Sequence, residues 1–124
     1  MDKCMTKLVA DHAGIRQAAW QLVTAQGLKS NPEGVLDSVE QHFSYPVFIK
    51  PAGTGSSVGV SKAADREQLR MALLEAGTYD EKILVEEFIH GREVEVAVMG
   101  NASPVASECG EIDSGAEFYD YEAK

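Results

Sequence analysis

The sequence predicts an α+β fold, a mainly antiparallel sheet packed against helices. Two observations support this. Helical-period segments and strand-like runs follow one another in mixed order, not as the repeating strand–helix–strand units of a parallel doubly wound sheet. In addition, two pairs of strand-like runs are joined directly, one through a glycine- and serine-rich loop after Pro51 and one through Gly100-Asn101, and direct connections suit antiparallel neighbours.

The elements follow in order. Residues 2–13 carry Met5, Leu8, Val9 and Ala13 at helical spacing and stop at Gly14, a residue suited to the end of a helix. The apolar run from Ala18 to Val23 predicts a strand. Asn31-Pro32 starts a helix, with Asn31 as N-cap, Pro32 at the first helical position, and Val35, Leu36, Val39 and Phe43 as its apolar face. Tyr45 to Lys50 and Val58 to Ser61 are predicted as strands flanking the loop. Asp65 with Gln68 three residues on resembles a capping box; it opens a helix whose Leu69, Leu73 and Ala76 face the core and which Gly77 ends. Ile83 to Ile89 reads as an apolar strand with Glu86 and Glu87 inside it, followed by a turn at Gly91. Arg92 to Met99 alternates, with Val94, Val96 and Val98 toward a core and Glu93, Glu95, Ala97 and Met99 away. A hairpin turn at Gly100-Asn101 leads to a short strand near Pro104 to Ser107, and Cys109 to Lys124 has little periodicity and reads as loop.

Composition bounds the function. A chain of 124 residues holds one domain, which is small for an enzyme that must bind a nucleotide and two further substrates. Its net charge of −9 argues against a nucleic-acid or anionic-membrane surface, because both rely on clustered lysine and arginine. Trp20 and the four tyrosines are not interleaved with basic residues, so stacking on nucleic-acid bases is not indicated. No apolar stretch approaches the roughly 20 residues that span a bilayer, and the first residues do not open a signal peptide, so the chain reads as cytoplasmic. Cys4 and Cys109 form no metal-binding or disulfide pattern, and His12, His42 and His90 lack partners at ligand spacing; no metal site is expected within the chain. There is no internal repeat and no linker.

The most informative segment is Ser44 to Lys62. Lys50 ends an apolar run and is followed at once by small residues, with Gly53, Gly55 and Gly59 letting the backbone turn its N–H groups toward an anion and Ser56 and Ser57 adding short hydroxyl donors. That arrangement suits phosphate. It is not a Walker A loop, since Val60 and Ser61 stand where Lys and Ser or Thr would be required, and the spacing of the glycines departs from the dinucleotide fingerprint. A glycine-rich hairpin with an incidental lysine is the alternative. Glu86 and Glu87 leave a similar choice. A carboxylate near a strand end can accept the amine of adenine, with the backbone of Phe88-Ile89 supplying a purine-edge donor and acceptor and Glu93 reaching the ribose hydroxyls; two solvated acids on an edge strand fit equally well.

The motifs Met1-Asp2-Lys3 with Thr6-Lys7, Ala13-Gly14-Ile15, Tyr45 to Pro51, Gly55 to Lys62, Val85-Glu86-Glu87, Gly91 to Val98, Cys109 to Ile112 and Phe118 to Lys124 occur in an order that resembles the D-alanine–D-alanine ligases, which are ATP-grasp enzymes. The resemblance implies the first ATP-grasp subdomain over residues 1–124, and an enzyme that joins two D-alanines for peptidoglycan synthesis through a D-alanyl phosphate, using ATP and Mg2+. It implies that Lys3 and Lys50 contact phosphates, that the loop at Gly55, Ser56 and Ser57 closes over the γ-phosphate with Ser56 at the catalytic centre, and that Glu86, beside Glu87, receives the adenine amine. By the same resemblance the Ile89 backbone contacts the adenine ring, Glu93 binds ribose, and Lys124 reaches the phosphates from a mobile loop. From the residues alone, Lys3 and Lys124 read as solvated lysines near the termini.

The family pattern also includes an amino-terminal domain, a second lobe with acidic and asparagine magnesium ligands, and a tyrosine right after the position of Lys124. The expectation is that these lie outside this chain, that the chain alone is inactive without a partner for the charge of phosphoryl transfer, and that the parent enzyme is a homodimer. A D-alanine–D-lactate ligase, another ATP-grasp ligase and a stand-alone nucleotide-binding module are the alternatives.

Overall fold

The computed structural model describes residues 1–113, which fall into two compact units, Met1–Ile89 and a second beginning at His90. The first unit contains α1 (Lys3–His12), β1 (Trp20–Thr24), α2 (Ala25–Ser30), α3 (Pro32–His42), β2 (Val47–Pro51), β3 (Ser61–Ala63), α4 (Arg66–Tyr79) and β4 (Lys82–Glu87). The second contains β5 (Val94–Glu95), β6 (Val98–Met99), β7 (Val105–Ala106) and β8 (Gly110–Glu111).

In the first unit the four strands form one antiparallel sheet in the order β1-β4-β2-β3. β4 is therefore paired on both sides, which accounts for its apolar character. Side chains alternate across the sheet. Val23 of β1, Ile83 and Val85 of β4, Val47 and Ile49 of β2 and Ala63 of β3 share a core with Leu28 of α2, Leu36 and Val39 of α3, and Leu69, Leu73 and Ala76 of α4. The opposite face carries the intervening residues. There Leu84 packs with Ala52, Trp20 and Cys4, the one fully buried residue of α1.

Local chemistry sets most helix boundaries. The Asp2 carboxylate accepts from the N–H groups of Cys4 at 3.0 Å and Met5 at 3.2 Å, and Asn31 caps α3 through the Gly34 N–H at 3.1 Å. Asp65 caps α4 through the Gln68 N–H at 2.8 Å, while the Gln68 side chain turns back to the Ala64 N–H at 2.9 Å, a reciprocal cap set one residue earlier than expected. Arg66 binds Glu33 and Asp37 of α3 at 2.9 and 2.8 Å and also Glu40, fastening α4 to α3 at the surface.

Several expectations are corrected. Gly77 does not end α4, which continues to Tyr79; a Cβ at Gly77 would lie 3.3 Å from that of Ala25, so the glycine permits close packing. α2 was not anticipated, because Gly27 lowers its helical signal, although Thr24 caps it through the Gly27 N–H at 3.0 Å. β3 begins only at Ser61, since Ser56, Ser57 and Gly59 all have positive φ and Val58 lies in the turn they make. β1 runs from Trp20 to Thr24 instead of Ala18 to Val23, β2 from Val47 to Pro51, and β4 ends at Glu87 instead of Ile89. The Met5, Leu8 and Val9 stripe of α1 is exposed, and the face with Cys4 meets the sheet.

In the second unit, Arg92 to Met99 is not one strand. β5 pairs with β8, in the segment expected to be loop, and β6 pairs with β7 across a turn where Gly100 has φ +106°. Between them Ala97 leaves the ladder, donating its N–H to the Ser107 hydroxyl at 3.0 Å and accepting from the Ser107 N–H at 2.8 Å. Val94, Val96 and Val98 are exposed, not turned to a core.

Leu73 is fully buried between α4 and the sheet. Leu73→Ala should lower the unfolding free energy by about 2–5 kcal/mol, read as a lower urea midpoint with an unchanged slope.

Candidate functional site

The register of the sheet aligns four residues across its less covered face. Trp20 pairs with Glu86, Glu86 with Phe48, and Phe48 with Lys62. Lys50 stands two residues along β2 from Phe48 and thus on the same face, diagonal to Glu86 and within reach of a long side chain. It forms an ion pair with Glu86 Oε2, while Lys7 of α1 holds Oε1 at 2.6 Å. The Glu86 side chain is 10% exposed, so this carboxylate is enclosed by its two lysines and the sheet. A solvated acid on an edge strand is therefore not what the structure shows for Glu86: β4 is central, and the charge is buried and paired.

Burial pushes the Glu86 carboxyl up, but the charge and hydrogen bond of Lys50, together with those of Lys7, outweigh it and hold the group below the usual carboxylate range. Burial, and then the nearby charge of Lys50, lower the Lys3 ammonium. Lys3, Lys7 and Lys50 against Glu86 leave two net positive charges in a chain whose total is −9.

The loop from Ala52 to Val60 is tied to this cluster. Lys3 Nζ donates to the carbonyl of Pro51 at 2.8 Å and to that of Thr54, so α1 is fixed to the start of the loop. Gly53 N–H donates to Asp80 Oδ2 at 2.6 Å, and the Thr54 hydroxyl donates to the Val58 carbonyl at 2.8 Å. The loop departs from the expected use of its glycines. Of Gly53, Gly55 and Gly59 only Gly59 has positive φ, at +71°, and a Cβ there would lie 2.8 Å from both Pro51 Cγ and Tyr79 Cδ2. The left-handed turn is made by Ser56 and Ser57, at φ 50° and 60°. Non-glycine residues in that region cost of order 1–3 kcal/mol each and concentrate at ligand clamps.

Aromatic rings border the cluster. The Phe48 and Phe88 rings are 5.8 Å apart, with Lys50 Nζ 5.5 Å from the first centroid and Lys62 Nζ 4.5 Å from the second. The ladder ends at Glu87, so the backbone of Phe88 and the exposed Ile89 continues past the sheet beside them.

The structure thus brings Lys3, Lys50 and Glu86 together, with Gly55, Ser56 and Ser57 in the adjoining loop. Glu87 does something else: its Oε1 accepts from the Ala19 N–H at 2.7 Å and its own N–H donates to the Ala19 carbonyl at 3.0 Å, which fastens the start of β1. Glu93 is an exposed residue of the second unit whose carbonyl accepts from the Ile112 N–H at 2.9 Å. Lys124 lies outside the described residues. Sequence reasoning missed Lys7, Phe48 and Lys62. The i, i+4 spacing of Lys3 and Lys7 on one helix face and the shared parity of Phe48 and Lys50 were the available signals. Among the described residues, no three His, Cys, Asp or Glu side chains come together as a metal site.

The lowered Glu86 carboxyl makes a pH prediction. Its folded value lies below its ordinary value of 4.5, so its pairing stabilises fully above that value and is lost as pH falls through the folded one. Melting temperatures should therefore drop more steeply with acid below about pH 4.5 in the wild type than in Glu86→Gln, which lacks this titration.

Residues 9–124 match the family model described as the D-ala D-ala ligase C-terminus. The chain is 56% identical over its whole length to a D-alanine–D-alanine ligase of Acetivibrio thermocellus, of which it covers 33%. Among solved structures it is similar to the D-alanine–D-alanine ligase of Coxiella burnetii, with TM-score 0.78 and 34% identity over 90% of this chain and 33% of that one. It is also similar to the VanG D-Ala:D-Ser ligase of Enterococcus faecalis, with TM-score 0.82 and 32% identity over 98% of this chain and 34% of that one. The chain spans about a third of the length of the curated relatives it matches.

Proposed function

Since this chain belongs to the D-alanine–D-alanine ligase C-terminal family and has an ATP-grasp α+β fold, we propose that it is the first ATP-grasp lobe of an ATP-dependent ligase that joins two D-alanines. The observation that carries this reading is the paired, buried Glu86 carboxylate one strand from Lys50, with the serine turn directly after that lysine.

The residues suit a nucleotide. Lys50 offers its ammonium to phosphate, Lys3 is assigned there too as a charge held at the start of the loop by the Pro51 and Thr54 carbonyls, and the Ser56 and Ser57 turn offers hydroxyl and backbone donors beside them, with Ser56 covering the γ-phosphate. Glu86, kept ionised, is an acceptor for the exocyclic amine of adenine, and the backbone at Ile89 lies beyond the sheet where a purine edge can meet it. Glu93 is assigned to the ribose and Lys124 to the phosphates. When bound, ATP supplies the phosphoryl group that activates one D-alanine carboxylate toward the amine of the other. In this reading Mg2+ takes its ligands from the parts of the relatives beyond the matched third, and the parent is a cytoplasmic homodimer serving peptidoglycan synthesis. D-alanine is preferred over D-serine as second substrate because the matching family model and the curated relatives at 50–56% identity are D-alanine–D-alanine ligases.

Calorimetric titration with Mg-ATP tests the reading. The chain should bind, and Lys50→Ala should weaken binding by about tenfold or more through loss of a charge-assisted contact. Binding that Lys50→Ala leaves unchanged would overturn the assignment of the loop, and no binding by the wild-type chain would overturn this lobe as a preformed nucleotide site.

A further inference from the structure

Lys7 has no role in the function proposed above, yet it is the more enclosed of the two lysines on Glu86: its side chain is 14% exposed, against 27% for Lys50. It is held from several sides. Its Nζ lies 2.6 Å from Glu86 Oε1 and donates to the Ala18 carbonyl at 3.4 Å, while its own carbonyl accepts from Gln17 Nε2 at 2.8 Å. One turn further along α1, Asp11 accepts from the Trp20 indole at 3.0 Å, so the helix segment bearing Lys7 is tied to the approach of β1. Lys50, by contrast, sits where β2 leads into the serine turn.

The two lysines therefore differ in what a phosphate does to them. An incoming phosphate competes with Glu86 for the charge of Lys50, whereas Lys7 faces the carboxylate from the helix side, anchored to Ala18. We infer that Lys7 is a positioning residue: it keeps Glu86 an aimed, hydrogen-bond-accepting carboxylate while Lys50 turns its charge to phosphate. The inference rests on the reading of Glu86 as the acceptor of a base amine. A buried carboxyl that loses its compensating charge takes up a proton, and a protonated oxygen presents a donor to a group that itself donates. The other groups around Glu86 do not replace Lys7. Lys3 of α1 is engaged by the carbonyls of Pro51 and Thr54, Lys62 of β3 lies over Phe88, and the Trp20 indole of β1 donates to Asp11.

The test compares wild type, Lys7→Met and Lys7→Arg by carbon NMR titration of the Glu86 carboxyl and by binding of Mg-ATP and of Mg-inosine triphosphate, which has a keto group in place of the amine. Lys7→Met should raise the Glu86 midpoint by about one unit or more, make Mg-ATP binding begin to weaken at a correspondingly higher pH than in the wild type as the solution is acidified, and cut the preference for ATP over inosine triphosphate by about tenfold at a pH about one unit below the raised midpoint. Lys7→Arg should restore all three, which a merely structural role for the helix would not require. If Lys7→Met does not fold, Lys7→Gln makes the same comparison with the charge removed. A Glu86 midpoint unmoved by loss of the Lys7 charge overturns the inference. A wild type with no preference for ATP overturns instead the reading of Glu86 as the amine acceptor, and the carboxyl titration still decides whether Lys7 holds it.

Discussion

A carboxylate placed on the central strand of a sheet is the constraint around which the first unit is organised. Glu86 has sheet partners on either side, and at 10% side-chain exposure it cannot rely on water. The fold answers with one lysine from the neighbouring strand and one from α1. Breaking a buried pair of this kind typically costs about 3–5 kcal/mol, because the remaining charge is left uncompensated. Helix α1 is thus held to the sheet by charge as well as by the small apolar contact of Cys4 with Leu84 and Ala52. Lys82 and Asp2 add a further ion pair at the start of that helix.

Alternation along the strands separates stability from chemistry. Ile83 and Val85 of β4, with Val47 and Ile49 of β2, belong to the main core; Leu84, Glu86, Phe48 and Lys50 belong to the other face. Residues next to one another in sequence thereby serve opposite layers. The segment that reads as a single apolar run ending in a lysine is structurally two interleaved sets, one closed by helices and one bordered by cations and aromatic rings. That is also why a locally positive site exists within an acidic chain: acids such as Glu33, Asp37 and Glu40 are spent on Arg66 at the surface, while two lysines converge on the Glu86 carboxylate and Lys3 stands at the start of the adjoining loop.

What could be read from the sequence was mostly what local chemistry decides. Asn31-Pro32 and Asp65 with Gln68 announced their helices because a cap is made within three or four residues, and Tyr45 to Lys50 announced a strand as a short apolar run set against a glycine- and serine-rich loop. Tertiary decisions were not visible. Gly77 looked like a helix end but is the point where α4 approaches Ala25; Val58 looked like strand but lies inside a turn made by two serines; the valines after Glu93 alternate, yet Ala97 breaks the ladder by bonding Ser107. The site divides in the same way. Lys50 and Glu86 stood out as charges in apolar runs, whereas Lys7 on a polar helix carried no such contrast, and its importance depends on a contact 79 positions away that only the fold creates.

Trp20 ends the row formed by Glu86, Phe48 and Lys62, and it is the chain's single tryptophan. Its indole is pinned by Asp11 on the same helix that carries Lys7, so the ring is fixed to both the strand and the helix that frame the buried carboxylate. The protein therefore has an intrinsic optical probe beside its central charge cluster. Tryptophan emission, excited at wavelengths too long for the tyrosines, comes from a single indole whose surroundings change when the helix or the carboxylate shifts, and no label need be attached to follow them.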